Sequence, residues 1–103
     1  MARIDPEVWA RADILLKVLP PSIEEIARFR DGATLISFIQ AHLNVDTIKA
    51  LAARKITTFA MELIPRTTRA QSMDALSSMS NIAGYKAVLL AADACPRIFP
   101  MLM

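Results

Sequence analysis

The run Ala33-Thr-Leu-Ile-Ser-Phe-Ile39 decides how this chain is to be read. It has strand length, is rich in Ile, Leu, Thr and Phe, and does not alternate cleanly between apolar and polar residues. That pattern suits a strand covered on both faces, as in a parallel sheet. Asp13-Ile-Leu-Leu-Lys-Val-Leu19 upstream and Ile56-Thr-Thr-Phe-Ala-Met-Glu-Leu-Ile64 downstream share its character. Helical segments fill the gaps. Ser22-Ile-Glu-Glu25 after Pro20-Pro21 is a capping box, so a helix begins there, and Gly32 is placed to end it. A second helix is expected from about Asn44 to Arg54, with Val45, Ile48, Leu51 and Ala52 as its apolar stripe. Arg54-Lys55 then sits at its negative end. The fold class is therefore α/β, a partial doubly wound parallel sheet in the order β-α-β-α-β.

After Pro65 the character changes. From Thr68 to about Cys95 the chain reads as one long helix, with Met73, Leu76, Met79, Ala83, Ala87, Leu90 and Ala94 along one face. Gly84 marks a break or a close packing point, Pro96 ends the run, and Phe99-Pro-Met-Leu-Met103 is an apolar tail. Three two-sided strands make a poor independent unit, and the tail leaves apolar surface bare. Either covering elements lie outside this chain, or the chain dimerises through that surface.

Composition agrees with a folded interior. Of the 103 residues, 54% are hydrophobic and 21% charged, which excludes disorder. One domain at most is expected, with a modest core. A net charge of +2, with no Lys/Arg cluster longer than two neighbours, excludes nucleic acid as partner. The single Cys95 and single His42 can build neither a disulfide nor a zinc site, which fits a reducing compartment. No apolar run reaches the roughly 18–20 residues of a membrane span, and Met-Ala-Arg-Ile-Asp-Pro lacks a signal-peptide core.

In open parallel sheets ligands gather beyond the carboxyl ends of the strands. Lys17, then Gln40 and His42, then Arg66 fall there. Gln71, Asp74, Ser78 and Asn81 follow at helical spacing with Ser77 beside them, a polar stripe able to hydrogen-bond a ligand while Arg66 supplies charge. The same stripe also reads as a wet helix face. Thr68-x-x-Gln71 is itself a capping box, and Asp74 complements the helix dipole. Lys17 contacts a ligand, pairs with Glu62, or snorkels out at the strand end. His42 is a ligand contact or a plain surface residue. Cys95 is expected to be buried and inert. With Gly32 and Gly84 as its only glycines, the chain carries neither a dinucleotide-binding fingerprint nor a P-loop.

The stretch Ala60-Met-Glu-Leu-Ile-Pro-Arg-Thr-Thr-Arg-Ala-Gln-Ser-Met-Asp-Ala-Leu-Ser-Ser-Met-Ser-Asn-Ile-Ala-Gly-Tyr-Lys-Ala-Val88 closely resembles the alpha subunit of proton-translocating NAD(P) transhydrogenases, within the alanine dehydrogenase/transhydrogenase family. Ile14-Leu-Leu-Lys-Val18, Gly32-Ala-Thr-Leu-Ile-Ser-Phe38 and Arg97-Ile-Phe-Pro-Met-Leu-Met103 share the likeness, and Pro65 to Tyr85 is its specific part. The resemblance implies hydride transfer between NAD(H) and NADP(H), the latter bound by a partner domain, coupled to proton passage. It implies that residues 1–67 are a partial N-terminal α/β subdomain. Residues 68–103 are then the loop-helix and an inter-domain helix leading to a Rossmann half that is missing here. Arg66, Asp74 and Ser77 would contact the nicotinamide end of NAD(H). Gln71 would help hold the NADP(H) nicotinamide, with Gln71 and Asp74 nearest the chemistry and no metal involved. Further implied partners are the missing Rossmann half, the NADP(H)-binding domain and the membrane subunit, with a homodimer in the parent, on the cytoplasmic side of the bacterial inner membrane. Without the Rossmann half, little NAD affinity and no turnover are expected. An alanine dehydrogenase is the enzymatic alternative, in which Lys17 and His42 resemble substrate residues. A subunit-interaction piece without activity is the other.

Overall fold

A computed structural model describes residues 5–98, so the apolar tail Phe99–Met103 lies outside the described residues. The elements run α1 (Pro6–Arg11), β1 (Ile14–Leu16), α2 (Ile23–Arg28), β2 (Thr34–Ser37), α3 (Val45–Ala53), β3 (Thr57–Ala60) and α4 (Ala75–Ala94). Short 3-10 helices cover Met61–Leu63 and Thr68–Met73. The three strands form one parallel sheet in the order β1-β2-β3, with Leu15 opposite Leu35 and Leu35 opposite Thr58. The parallel β-α-β-α-β sheet and the long C-terminal helix are as the apolar runs predict.

Crossovers of one hand, stepping each time in the same direction across the sheet, put their helices on the same face. Accordingly α1 packs on α2 and α2 on α3. One core forms beneath them from Trp9, Leu15, Ile26, Phe29, Leu35, Ile39, Leu51 and Ile56. Trp9 and Phe29 stack with ring centroids 5.4 Å apart and planes 18° from parallel. The expectation of cover on both faces is met on one face only. Ile14, Leu16 and Phe59 point the other way and are 63%, 74% and 58% exposed. Among the described residues, only the chain after β3 turns back over that face.

Local rules account for several boundaries. Ser22 and Glu25 form both halves of the capping box at the start of α2. That helix ends at Arg28, with Phe29 as its cap. Gly32 lies further on, in the turn before β2, where φ of 78° favours glycine. Helix α1 has Asp5 as N-cap, accepting the Glu7 N–H at 3.0 Å, and Pro6 in its first turn. Helix α3 has the expected limits and buries Leu51 as expected, but with Thr47 and a half-buried Ala50 in place of Val45, Ile48 and Ala52. Val45 and Ile48 face solvent. With Thr47 and Leu51 turned inward, Arg54 reaches the turn before β2. There its guanidinium donates to the Phe29 carbonyl and pairs with Asp31.

Helix α4 buries none of its 20 residues. Met79, Ile82, Val88, Leu89 and Leu90 are at least half exposed. At 1.5 Å per residue it is about 30 Å long. It stretches the described residues to 58 × 34 × 23 Å, with a radius of gyration of 18.8 Å. A compact chain of this size has a radius of about 13 Å. No helix among the described residues is long and apolar enough to cross a membrane.

Candidate functional site

The carboxyl ends of all three strands lie along one edge of the sheet, because the strands are parallel. From β3 the chain enters the 3-10 turn Met61–Leu63, passes Pro65 and Arg66, and coils through Thr68–Met73 into α4. A groove of about 900 Å³ opens between this segment and the bare sheet face. Ile36, Phe59, Leu63 and Met73 make its apolar wall, and Gln71, Asp74 and Ser78 add polar groups. A recess of about 260 Å³ adjoins it, lined by Arg66, Thr67, Thr68, Gln71, Asp74 and Ser77. The structure thus brings Arg66, Gln71, Asp74 and Ser77 together, and Gln71 and Asp74 face both spaces.

Local geometry departs from one continuous helix. Residues Thr68–Met73 are 3-10, and the α-helix starts only at Ala75. Asp74 is its N-cap, with Oδ1 accepting the Ser77 N–H at 3.0 Å. The Ser77 hydroxyl and backbone N–H, then the Arg66 charge, hold the Asp74 carboxyl below its usual range. It is therefore anionic at neutral pH and fixed in direction. The capping box predicted for Thr68 and Gln71 does not form; Thr67 precedes the 3-10 helix and makes no side-chain cap. Thr68 lies inside the 3-10 helix, one residue past its N-cap, so its side chain does not stand where a capping box requires it. Among the described residues, the side chains of Gln71 and Arg66 make no hydrogen bond, so both keep their donors for other use. Thr67 and Thr68 join the recess without any signal in the sequence beyond their place between Arg66 and Gln71.

The other candidates are elsewhere. Lys17 donates to Glu25 Oε2 at 2.5 Å, not to Glu62, and its ammonium stands 5.4 Å from the Trp9 ring centroid. Glu25 also receives the Ser22 N–H, so Lys17 is tied to the start of α2. Glu62 instead serves the backbone of Ile39 and Gln40. His42 is exposed in the turn after β2 and lines neither space. Asn81 lines neither as well. Cys95 is not buried; it caps the end of α4 half-exposed. Among the described residues no cluster of His, Cys, Asp and Glu could hold a metal.

The Lys17–Glu25 tie has a pH signature. Burial pushes the Glu25 carboxyl up, but hydrogen bonds from Lys17 and Ser22, with the Lys17 and Arg28 charges, hold it below its usual value. Its stabilisation is therefore complete above the unfolded glutamate pKa and is lost as pH falls through the lower folded value. Urea melts across that acid range are expected to lose midpoint more steeply for the parent chain than for Glu25→Gln.

Comparison with known proteins adds the remaining facts. The family model described as alanine dehydrogenase/PNT, N-terminal domain matches residues 2–83. The NAD(P) transhydrogenase subunit alpha of Haemophilus influenzae is 51% identical over 86 residues, covering 84% of this chain and 17% of that protein. The NAD(P) transhydrogenase subunit alpha of Cereibacter sphaeroides is 47% identical over 92 residues, covering 89% and 18%. The crystal structure of transhydrogenase from Sinorhizobium meliloti superposes with a TM-score of 0.85 at 49% identity, over 95% of this chain and 30% of that one. Alanine dehydrogenases match more weakly, that of Mycolicibacterium smegmatis at 33% over 78 residues. The chain thus spans between about a sixth and a third of the proteins it matches.

Proposed function

The chain belongs to the alanine dehydrogenase/PNT N-terminal domain family, and on that premise we propose that it acts as the nicotinamide-positioning part of an NAD(P) transhydrogenase alpha subunit. The observation that carries this reading is the convergence of Arg66, Gln71, Asp74 and Ser77 on one recess beside an apolar groove. The donor set fits the nicotinamide end of a dinucleotide. An unpaired amide and a fixed carboxylate suit a carboxamide, and Arg66 suits a phosphate. It does not fit the rest of one, since neither Gly32 nor Gly84 belongs to a phosphate-cradling loop.

NAD(H) supplies the hydride chemistry. Such transfer needs no acid, base or metal from the protein; it needs two rings held in contact with water kept out. Asp74, locked by Ser77, gives a fixed acceptor. Gln71 gives an amide facing both spaces, Arg66 a neighbouring cation, and Ile36, Phe59 and Leu63 an apolar wall. Residues 1–67 form the N-terminal α/β portion, and 68–103 lead toward a Rossmann half in the longer subunit. That half would cover the bare surface of α4. The NADP(H)-binding domain, the membrane subunit and a second copy complete the assembly, at the cytoplasmic side of a bacterial inner membrane. The alanine dehydrogenase reading is weakened because the Lys17 ammonium is already taken by Glu25.

Calorimetric titration with NADH tests the division of labour. The chain alone is expected to show no binding in the micromolar range, whereas a full-length alpha subunit binds. Micromolar affinity in the chain alone overturns the assignment of the main grip to the Rossmann half.

A further inference from the structure

Glu62 stands in the 3-10 turn Met61–Leu63, just ahead of Arg66. Its Oε2 accepts the Ile39 N–H at 3.0 Å and its Oε1 the Gln40 N–H at 2.6 Å. Both donors belong to the turn after β2. Gln40 there has φ of 51°, a left-handed conformation that a residue with a Cβ keeps only when its neighbours hold it. Two side chains do so. Asn44 Nδ2 donates to the Ile39 carbonyl at 2.9 Å from within the turn, and Glu62 reaches in from the site segment. Among the described residues, no other side chain of residues 61–73 hydrogen-bonds to the sheet or its loops. The same 3-10 turn packs against α4.

We propose that Glu62 is a positioning residue that sets where the Arg66–Ser77 recess stands relative to the carboxyl end of β2. The inference rests on reading that recess as the ligand site. A carboxylate is needed because two N–H donors converge on it; an amide offers one acceptor oxygen and turns an NH2 toward the second donor. Burial pushes the Glu62 carboxyl up, yet the N–H groups of Ile39, Glu62, Gln40 and Ala41 hold it below its usual value. It therefore stays charged at neutral pH. Among the described residues it has no cationic partner, so its charge is spent on backbone. Loss of the tie frees the turn Met61–Leu63, and with it both Arg66 and the start of α4.

Backbone amide resonances of Glu62→Gln, compared with Asn44→Ala, test the tie without any ligand. Asn44→Ala is expected to shift signals from Ile39 into the first turn of α3 while leaving those of Arg66 to Ser77 in place, and Glu62→Gln to shift both Ile39–Leu43 and Arg66–Ser77. Unmoved Arg66–Ser77 signals in Glu62→Gln overturn the proposal. If Glu62→Gln does not fold, Glu62→Asp, which keeps the charge and shortens the reach, is read the same way. In a full-length alpha subunit the same Gln substitution is expected to lower kcat for hydride transfer roughly tenfold or more, with little change in NADH affinity. Shifted recess signals with unchanged kcat overturn the site reading and leave the tie standing, so the two failures are distinct.

Discussion

Phe29→Ala is expected to bring the chain to the margin of folding at 25 °C, with at most about 2 kcal/mol of stability left. Phe29 caps the end of α2 and is fully buried, stacked on Trp9 within the one core of the domain. Truncating a buried phenylalanine costs about 3–5 kcal/mol from lost transfer energy and the cavity left behind. A domain of about 100 residues has about 5–15 kcal/mol in total, and this one belongs at the low end. Its sheet is covered on one face, and α4 contributes length without burial. Phe29 also supports more than its own contacts. Trp9, its stacking partner, carries the Lys17 ammonium, so losing the ring loosens that contact as well. Circular dichroism and tryptophan emission should therefore report loss of helix and exposure of Trp9 together. Val45→Ala, at an exposed site of similar hydrophobicity, should change the urea midpoint little. A cooperative transition in Phe29→Ala within about 1 kcal/mol of the parent would contradict a single core organised around that ring.

These residues also separate what the sequence makes legible from what it hides. The three strands are legible because a parallel strand must be apolar over a short run, whatever its neighbours are. The Ser22–Glu25 capping box is legible because both its hydrogen bonds close within four residues. Asp5-Pro6 carries an equally local signal for α1, but six residues are too few for periodicity to support it. The buried stripe of α3 is misread because hydrophobicity alone selects Val45 and Ile48. The structure instead turns the helix so that Thr47, Leu51 and Arg54 meet the core and the turn at Asp31. Long-range partners are the least legible. Lys17 finds Glu25 rather than Glu62, and Glu62 finds backbone 22 and 23 residues away.

The site divides the same way. Arg66, Gln71, Asp74 and Ser77 stand out by residue type and by family resemblance, and they converge on one recess. Their mutual geometry does not follow from helical spacing, because a 3-10 segment precedes α4 and Asp74 is the cap at the junction. On the proposed function, the junction bears on chemistry. On a continuous helix, Gln71 and Asp74 would share a face with their neighbours. At a 3-10 to α transition they sit at a corner, with one side toward the groove and the other toward the recess.

The largest functional effect is therefore expected at that corner. In a full-length alpha subunit, Asp74→Ala should slow hydride transfer by two orders of magnitude or so, the scale on which misplaced reacting groups lose rate, with only modest loss of NAD(H) affinity. Affinity survives because the recess offers no phosphate cradle; rate falls because Asp74 is both a fixed acceptor and the cap that starts α4. Asp74→Asn separates the two roles. An asparagine still caps a helix well, so the α4 start and Ser77 stay in place while the charge facing Arg66 is lost. If the carboxylate itself orients the ring, Asp74→Asn remains slow; if capping is its whole contribution, Asp74→Asn recovers the parent rate. Gln71→Ala should also slow transfer while leaving the fold untouched, because its amide has no partner among the described residues and its backbone carbonyl still receives the Asp74 N–H. Stopped-flow transfer rates beside NADH titrations decide the matter. Parent-like turnover in both Asp74→Ala and Gln71→Ala removes these residues from the site and leaves the recess without a role in hydride transfer.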